Sequence, residues 1–168
     1  MKTVYFAGGC FWGTQKFFDQ FDGVLETEVG YANGTTERPS YEDVCYRDTG
    51  HAETVKVIYD EEQLSLKQLL RYYFMTIDPT SLNRQGNDRG TQYRTGIYYE
   101  AGDPEKATLL KDIGDILEEV KQRYFEPLVV EVLPLDNFYT AENYHQKYLD
   151  KHPFGYCHIP RALLHLDA

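Results

Sequence analysis

A short apolar run near the start of the chain, residues 4–7, leads directly into residues 8–13, Gly-Gly-Cys-Phe-Trp-Gly. In residues 14–21, which follow, the phenylalanines recur three or four positions apart, a spacing that predicts a helix. A strand and a helix are therefore joined by a turn that carries a cysteine between glycines. Glycine permits backbone conformations that are closed to bulkier residues and leaves the sulfur open to a ligand. The pattern places the Cys10 thiol at or just before the first turn of the helix.

The position of Cys10 has a chemical consequence. A helix N-terminus presents unpaired N–H groups and the positive end of the helix dipole, an environment that favours a thiolate. The sequence therefore predicts a Cys10 pKa below the free value of roughly 8.5. Phe11 and Trp12 add an apolar wall beside this nucleophile. The alternative for Cys10 alone is a structural cysteine in an aromatic core, because free cysteine is among the most buried residue types.

Residues 9–13, Gly-Cys-Phe-Trp-Gly, resemble the active-site motif of the A-type methionine sulfoxide reductases, which reduce the S epimer of methionine sulfoxide. Further segments resemble segments of that family in the same order along the chain. These are residues 41–45, 49–53, 85–88, 90–94 and 155–157. The resemblance extends from residue 4 to about residue 158. It implies a thiol oxidoreductase, without a metal or other cofactor, that repairs methionine (S)-sulfoxide in proteins, peptides and the free amino acid.

Length and composition limit the remaining possibilities. We expect a single domain over residues 1–168 with a flexible C-terminal tail from about residue 154, because this length suits one domain with a substantial core. The net charge of −10 and the lack of a basic cluster argue against a nucleic-acid partner. No apolar stretch has the length of a signal peptide or a membrane span, so the sequence predicts a cytoplasmic protein with no membrane partner. We also expect a monomer.

The number and spacing of the three cysteines also favour thiol chemistry. They are too few, and odd in number, for a disulfide scaffold, and none stands at the spacing of a zinc site. Reduced thiols with a catalytic role fit this pattern better than structural disulfides or metal ligands.

Strand and helix patterns alternate along the chain without uniform βαβ units, which favours an α+β fold with a mixed or mostly antiparallel sheet flanked by helices. The resemblance implies a two-layer sandwich of ferredoxin-like character. The predicted strands are residues 4–7, 24–31, 52–59, 93–99 and 128–133, and the predicted helices are residues 14–21, 40–46, 66–77, 104–124 and 140–151. A polar loop over residues 78–89 is longer than most connections in compact domains, which is typical of a functional or disordered segment.

Glu53 begins the clearest strand, residues 52–59. Alternation in this strand places Val55, Val57 and Tyr59 on the inward face, and Glu53 shares that face. Burial disfavours a carboxylate, so we expect a raised pKa and a neutral acid near the working pH. The resemblance implies that Glu53 donates the proton that the departing oxygen needs. A surface position at the strand end is the alternative for a lone glutamate.

The resemblance assigns roles to the residues around the thiol. It implies that Cys10 attacks the sulfoxide sulfur and is left as a sulfenic acid. The hydroxyls of Tyr41 and Tyr93 would then point at the sulfoxide oxygen and stabilise its developing charge. Phe11 and Trp12 would form the wall that binds the substrate methyl group. Either tyrosine alone would more often be a ring in the core.

The resemblance also reaches the polar loop and the C-terminal tail. Asp88 would accept an N–H group of the substrate, although capping of its own loop is nearly as common a role. Cys157 stands where that family has its resolving cysteine, which implies a Cys10–Cys157 disulfide that thioredoxin reduces. Residues 159–168 contain no further cysteine for a second relay. Cys45 is expected to pack on a short helix.

Two other functions stay open from the residues alone. A thiol peroxidase would share the sulfenic acid, and consumption of hydrogen peroxide in place of a methyl sulfoxide would identify it. A peptide-binding module would use Phe11 and Trp12 to hold a partner without turnover. Such a module has no need of an acid at Glu53 or of a second thiol at Cys157.

Overall fold

The computed structural model describes residues 1–166. The strands are β1 (Lys2–Ala7), β2 (Val24–Ala32), β3 (Ala52–Tyr59), β4 (Arg84–Gln85), β5 (Asp88–Arg89), β6 (Gly96–Tyr99), β7 (Glu131–Pro134) and β8 (Phe138–Thr140). The α-helices are α1 (Phe11–Asp19), α2 (Tyr41–Tyr46), α3 (Leu66–Met75), α4 (Lys106–Lys121) and α5 (Tyr148–Lys151). Three 3₁₀ turns cover Thr91–Tyr93, Asn143–His145 and Arg161–His165.

Six of the strands form one mixed sheet in the order β7-β6-β1-β3-β2-β8. All neighbours are antiparallel except β6 and β7, which are parallel. Strands β4 and β5 form a separate two-stranded hairpin within the predicted polar loop. The expected α+β class with a mixed sheet is confirmed.

The alternation of β1 shows how the sheet divides the interior. Val4 and Phe6 face the main apolar cluster, whereas Tyr5 and Ala7 face a smaller cluster on the other side. The main cluster also contains the buried apolar residues of α1, α3 and α4, so these helices cover one face of the sheet. Burial of this apolar surface is the main term that stabilises the arrangement.

The central strands bring the predicted site together. β1 pairs with both β3 and β6, and its last residue, Ala7, lies opposite Thr54 and Gly96. The turn after Ala7 therefore opens at the end of the sheet where β3 begins. On β3, Glu53 lies opposite Tyr31 of β2. The predicted inward position of Glu53 is confirmed, because its side chain is buried.

The helix predicted over residues 140–151 is wrong. The chain there forms the end of β8, a 3₁₀ turn and the short helix α5, with Lys147 at a left-handed φ of 55°. Tertiary contacts explain the difference, since β8 adds to the free edge of β2. The Lys147 N–H donates to Gln15 Oε1 at 2.8 Å, and its ammonium binds Asp19 at 2.8 Å. A continuous helix would break these contacts.

Other boundaries differ by a few residues. Helix α1 begins earlier than predicted, at Phe11, and α4 begins at Lys106, because Asp103 caps a turn by accepting the Glu105 N–H at 2.8 Å. The strand predicted over 93–99 is wrong in its first part, where a 3₁₀ turn precedes β6. The strand predicted over 128–133 is displaced to Glu131–Pro134.

The chain after α5 packs against α1. Ile159 and Leu164 are buried, the Gln20 side chain donates to the Leu163 carbonyl at 2.7 Å, and its oxygen accepts the Leu166 N–H at 2.6 Å. Gln20 thus joins the described part of the tail to the end of α1. The mobility expected from residue 154 onward stays a prediction.

Candidate active site

Cys10 is the N-cap of α1, as the turn between β1 and the helix predicted. Its sulfur is buried, and two backbone N–H groups of the helix start are bonded to carboxyl groups. The Cys10 N–H donates to Asp88 Oδ2 at 3.1 Å, and the Phe11 N–H donates to Glu53 Oε1 at 3.2 Å. The backbone N–H of Trp12 faces the sulfur. These N–H groups, which have no partner within the helix, thereby hold both predicted acidic residues beside the thiol.

The predicted decrease of the Cys10 pKa is wrong. Burial raises this pKa well above its ordinary value, and the negative charge that Glu53 and Asp88 carry when they are ionised raises it further. The backbone N–H of Trp12 acts in the opposite direction and lowers the Cys10 pKa. Desolvation penalises the thiolate more than one turn of helix stabilises it. At neutral pH the Cys10 side chain is therefore a thiol.

Glu53 is a buried acid directly beside that thiol. Burial raises its pKa to about 8, and the Asp88 charge adds to the shift, while the Phe11 N–H and the Gln92 side chain oppose it. At pH 7 roughly ten neutral Glu53 side chains exist for each ionised one. Its second oxygen, Oε2, has no hydrogen-bond partner among residues 1–166. The predicted raised pKa is confirmed.

Tyr41 and Tyr93 both lie near Glu53. Burial raises the pKa of both hydroxyls, and the charge of Glu53 contributes to each shift. Both therefore stay protonated donors at neutral pH. Tyr41 is fixed at the start of α2, because its N–H donates to the Glu142 carboxylate at 3.0 Å. Residues 8–10, which join β1 to α1, form the cysteine turn. Tyr93 is fixed to this turn, because its carbonyl accepts the Gly9 N–H at 3.1 Å.

The apolar wall is held more tightly than the sequence indicated. The Trp12 indole N–H donates to His145 Nδ1 at 2.9 Å, and its ring stacks on Tyr148 with centroids 3.7 Å apart and planes 11° apart. Phe11 is fully buried and packs on His145 and Tyr31. Because burial lowers the His145 pKa, the imidazole is neutral and carries its proton on Nε2.

His145 and Tyr148 were missed in the sequence. The helix assumed over residues 140–151 placed them three residues apart on one face, with no reason to meet Trp12. A hint was the clustering of aromatic and imidazole side chains in residues 144–148. Only the tertiary position of this segment, beside α1, gives the cluster a function.

Asp88 begins the second strand of the β4–β5 hairpin, and this placement brings it to Cys10. Burial raises its pKa, while the Tyr156 hydroxyl and the Cys10 N–H oppose the shift. Its carboxylate therefore joins the cysteine turn to the C-terminal segment. The Asp88 Oδ2 atom accepts the Cys10 N–H and does not cap its own loop. Binding of a substrate N–H by Asp88 stays a prediction.

The other two cysteines also lie near the site. Cys157 is half-buried, and its Sγ stands over Gly13, where an added Cβ would approach it to 2.6 Å. Cys45 is half-buried on α2, and it accepts a hydrogen bond from the Gln92 side chain at 3.3 Å. None of the three cysteines forms a disulfide in this structure. In the part of the chain that the structure describes, no group of three or more His, Cys, Asp or Glu side chains is arranged to hold a metal ion.

Comparison with known proteins identifies the family. The family model of peptide methionine sulfoxide reductase matches residues 2–166. A peptide methionine sulfoxide reductase MsrA of Clostridium acetobutylicum is 57% identical over 164 residues, which cover 98% of each chain. The chain belongs to the peptide methionine sulfoxide reductase family. It is therefore an oxidoreductase that reduces methionine sulfoxide by thiol chemistry.

Solved structures agree with this family. The reduced form of Mxr1 from Saccharomyces cerevisiae is 39% identical, with a TM-score of 0.84 over 93% of this chain and 88% of that one. A structure of the same yeast protein in complex with Trx2 is 26% identical, with a TM-score of 0.59 over 88% of this chain and 84% of that one. No helix within residues 1–166 is long and apolar enough to span a membrane.

Proposed function

We propose that this chain reduces methionine (S)-sulfoxide in proteins, peptides and the free amino acid, with Cys10 as the nucleophile and Glu53 as the acid. The observation that carries the proposal is the pairing of a buried thiol with a buried carboxyl group whose pKa is about 8. Both groups are protonated before substrate binds. A sulfoxide needs a proton on its oxygen at the moment when its sulfur is attacked, and a neutral carboxylic acid is a suitable donor at neutral pH.

The first step moves one oxygen atom from the substrate to the enzyme. Glu53 protonates the sulfoxide oxygen, the Cys10 sulfur attacks the substrate sulfur, and the thiol proton passes to the Glu53 carboxylate. The hydroxyl group then transfers from the substrate sulfur to Cys10 as the sulfur–oxygen bond of the substrate breaks. The products are methionine and a Cys10 sulfenic acid, so the substrate is reduced by two electrons and Cys10 is oxidised by two.

Tyr41 and Tyr93 supply the remaining polar groups of this step. The Glu53 charge contributes to the raised pKa of both hydroxyls, which are donors throughout the neutral pH range. Donors that are already oriented stabilise charge that develops on the sulfoxide oxygen without reorganisation. Asp88 accepts an N–H group of the substrate and so contributes to binding.

Phe11 and Trp12 bind the methyl group of the substrate. The stacking of Trp12 on Tyr148 and its hydrogen bond to His145 fix the indole before substrate arrives. A pre-oriented wall avoids the entropy cost of ordering a side chain on binding. A methyl group in such a pocket is worth about 1–3 kcal/mol of discrimination, so these residues set affinity more than the chemical rate.

Cys157 resolves the sulfenic acid, and a dithiol protein of the thioredoxin type reduces the product. Cys157 displaces the hydroxyl of Cys10 sulfenic acid to give a Cys10–Cys157 disulfide and water. Its position over Gly13, at the first turn of α1, supports this assignment. The yeast complex with Trx2 supports thioredoxin as the reductant. The chain acts as a cytoplasmic monomer, and no metal or cofactor takes part.

Reduction of separated epimers tests this proposal. A peptide with one methionine sulfoxide, prepared as pure S and pure R forms, is incubated with the enzyme and dithiothreitol and followed by mass spectrometry. We expect a loss of 16 Da from the S peptide only, since one oxygen leaves. Equal reduction of both epimers would contradict the epimer assignment. Consumption of hydrogen peroxide without loss of oxygen from either peptide would identify a thiol peroxidase. Binding of the peptide without turnover would identify a peptide-binding module.

A further inference from the structure

His158, the residue after Cys157, occupies an unusual place in the structure. Its side chain is only 2% exposed, although the segment around it is a surface tail. Burial lowers its pKa to about 4, so the imidazole is neutral. Neither ring nitrogen has a partner at hydrogen-bonding geometry within residues 1–166. A buried polar group without a partner is destabilising, so the packing of this ring must offset that cost.

The ring sits in a socket that glycine creates. Gly9 has a left-handed φ of 75°, and a Cβ built there would lie 2.7–2.9 Å from three atoms of the His158 imidazole. No side chain larger than glycine leaves room for the ring. A Cβ at Gly13 would lie 3.6 Å from His158 Nδ1 and 2.6 Å from Cys157 Sγ. The same two glycines that flank Cys10 therefore receive the imidazole and the second thiol side by side.

Few polar groups face the ring, and the backbone contact with Thr76 falls outside hydrogen-bonding geometry. Asp88 Oδ2 is 3.9 Å from Nδ1, and it already accepts the Cys10 N–H. The Thr76 carbonyl faces the ring from the end of α3. The Tyr156 hydroxyl interacts with Asp88. The contact of His158 with the cysteine turn is thus mainly one of shape.

We propose that His158 is a positioning residue for the resolving step: its ring, seated against Gly9, holds Cys157 over the first turn of α1 next to Cys10. This inference rests on the proposed role of Cys157. The step it assists forms one sulfur–sulfur bond and breaks the sulfur–oxygen bond of Cys10 sulfenic acid. The Cys157 proton leaves with the hydroxyl as water, Cys157 is oxidised and Cys10 is reduced.

The role predicts a separation between the two chemical steps. No atom of His158 takes part in the attack of Cys10 on the sulfoxide, so the yield of methionine in a single turnover is independent of His158. Disulfide formation needs the two sulfur atoms in line and in contact. Displacement of a reacting group by 1 Å can cost about a hundredfold in rate, so loss of the ring should slow this step by about ten- to a hundredfold.

His158→Ala tests the proposal, with His165→Ala as the matched control. His165 lies in the same tail but is exposed. Each protein is mixed with one equivalent of methionine (S)-sulfoxide, quenched at intervals with an alkylating agent, and analysed for methionine and for the Cys10–Cys157 disulfide. We expect a normal yield of methionine from both variants and slow disulfide formation only in His158→Ala. A disulfide formed at the wild-type rate, or a lost methionine yield, would overturn the positioning role.

Two further variants separate shape from polarity and keep the test independent of folding. His158→Phe retains a planar ring and should form the disulfide faster than His158→Asn, which retains only a polar group. The opposite order would overturn the argument from packing. Cys157→Ser distinguishes this inference from the proposed function. If that variant still turns over with thioredoxin, the resolving role of Cys157 fails, whatever the effect of His158.

Discussion

Replacement of Glu53 by glutamine tests the buried acid through both rate and stability. The amide is nearly isosteric and its oxygen can still accept the Phe11 N–H, which now lies 3.2 Å from Glu53 Oε1. What is lost is the proton. Removal of a positioned acid should slow the first step by roughly 10²–10⁴-fold at pH 7. The assay is the rate of methionine formation in a single turnover with a methionine (S)-sulfoxide peptide.

The pH dependence adds a second criterion. Because the Glu53 pKa is about 8, the wild-type rate of the first step should fall as pH rises through that value. The Cys10 pKa is raised well above its ordinary value, so ionisation of the thiol does not counteract this decrease below pH 8. Glu53→Gln should show no such decrease. A wild-type rate in the variant between pH 5 and 8 would make Glu53 a structural residue.

The effect of Glu53 on the free energy of unfolding can be measured without turnover. The folded state holds the Glu53 proton up to about pH 8, whereas an ordinary carboxyl group releases it near 4.5. The folded state thus binds more protons in this window, so the contribution of neutral Glu53 is complete below pH 4.5 and is lost as pH rises to 8. At pH 7 the loss amounts to about 3 kcal/mol.

Glutamine cannot ionise and avoids this loss. From pH 4.5 to pH 7 the free energy of unfolding of Glu53→Gln should therefore increase by about 3 kcal/mol relative to wild type. Urea unfolding at the two pH values measures the difference. Glu118→Gln, an exposed position on α4, is the control and should show no comparable change. A difference for Glu53→Gln that does not vary with pH would refute the reasoning.

Three further predictions concern the nucleophile, the wall and the core. Cys10→Ser should abolish reduction, because a hydroxyl supplies almost no anion at neutral pH; turnover above a few per cent would contradict its role. His145→Ala removes the acceptor of the Trp12 N–H and should raise KM more than it lowers kcat, so steady-state kinetics with an unchanged KM would count against a pre-oriented wall. Ile113→Ala, in the core of α4, should lower the free energy of unfolding by about 2–5 kcal/mol in urea titration without altering the Cys10 chemistry; a loss under 1 kcal/mol would contradict close packing there.

Local patterns were sufficient for the elements that position the nucleophile. The glycine-rich turn fixed the strand-to-helix junction at Cys10, and the alternation of β3 identified the inward side of Glu53. Both depend on short-range periodicity, which the sequence displays directly. The fold class followed from the order of such patterns and from the family resemblance.

Features that depend on distant contacts were not accessible in the same way. The Cys10 pKa is governed by burial and by the approach of Glu53 and Asp88 from other strands, so reasoning from the helix N-terminus alone gave the wrong sign. The helix expected over residues 140–151 failed because β2 offers a free edge to β8. Local propensity is a weak prior when tertiary contacts compete with it. His145 became part of the site only through this unforeseen path of the chain.

The most direct test of the account is to map the oxidised thiols after one turnover. Wild type, Cys157→Ser and Cys45→Ser are each treated with one equivalent of methionine (S)-sulfoxide, and the remaining thiols are alkylated and located by mass spectrometry. We expect loss of two thiols and a Cys10–Cys157 disulfide in wild type and in Cys45→Ser. Cys157→Ser should release one equivalent of methionine, keep a sulfenic acid on Cys10 and stall with thioredoxin. A Cys10–Cys45 disulfide in wild type, with Cys157→Ser turning over normally, would contradict it.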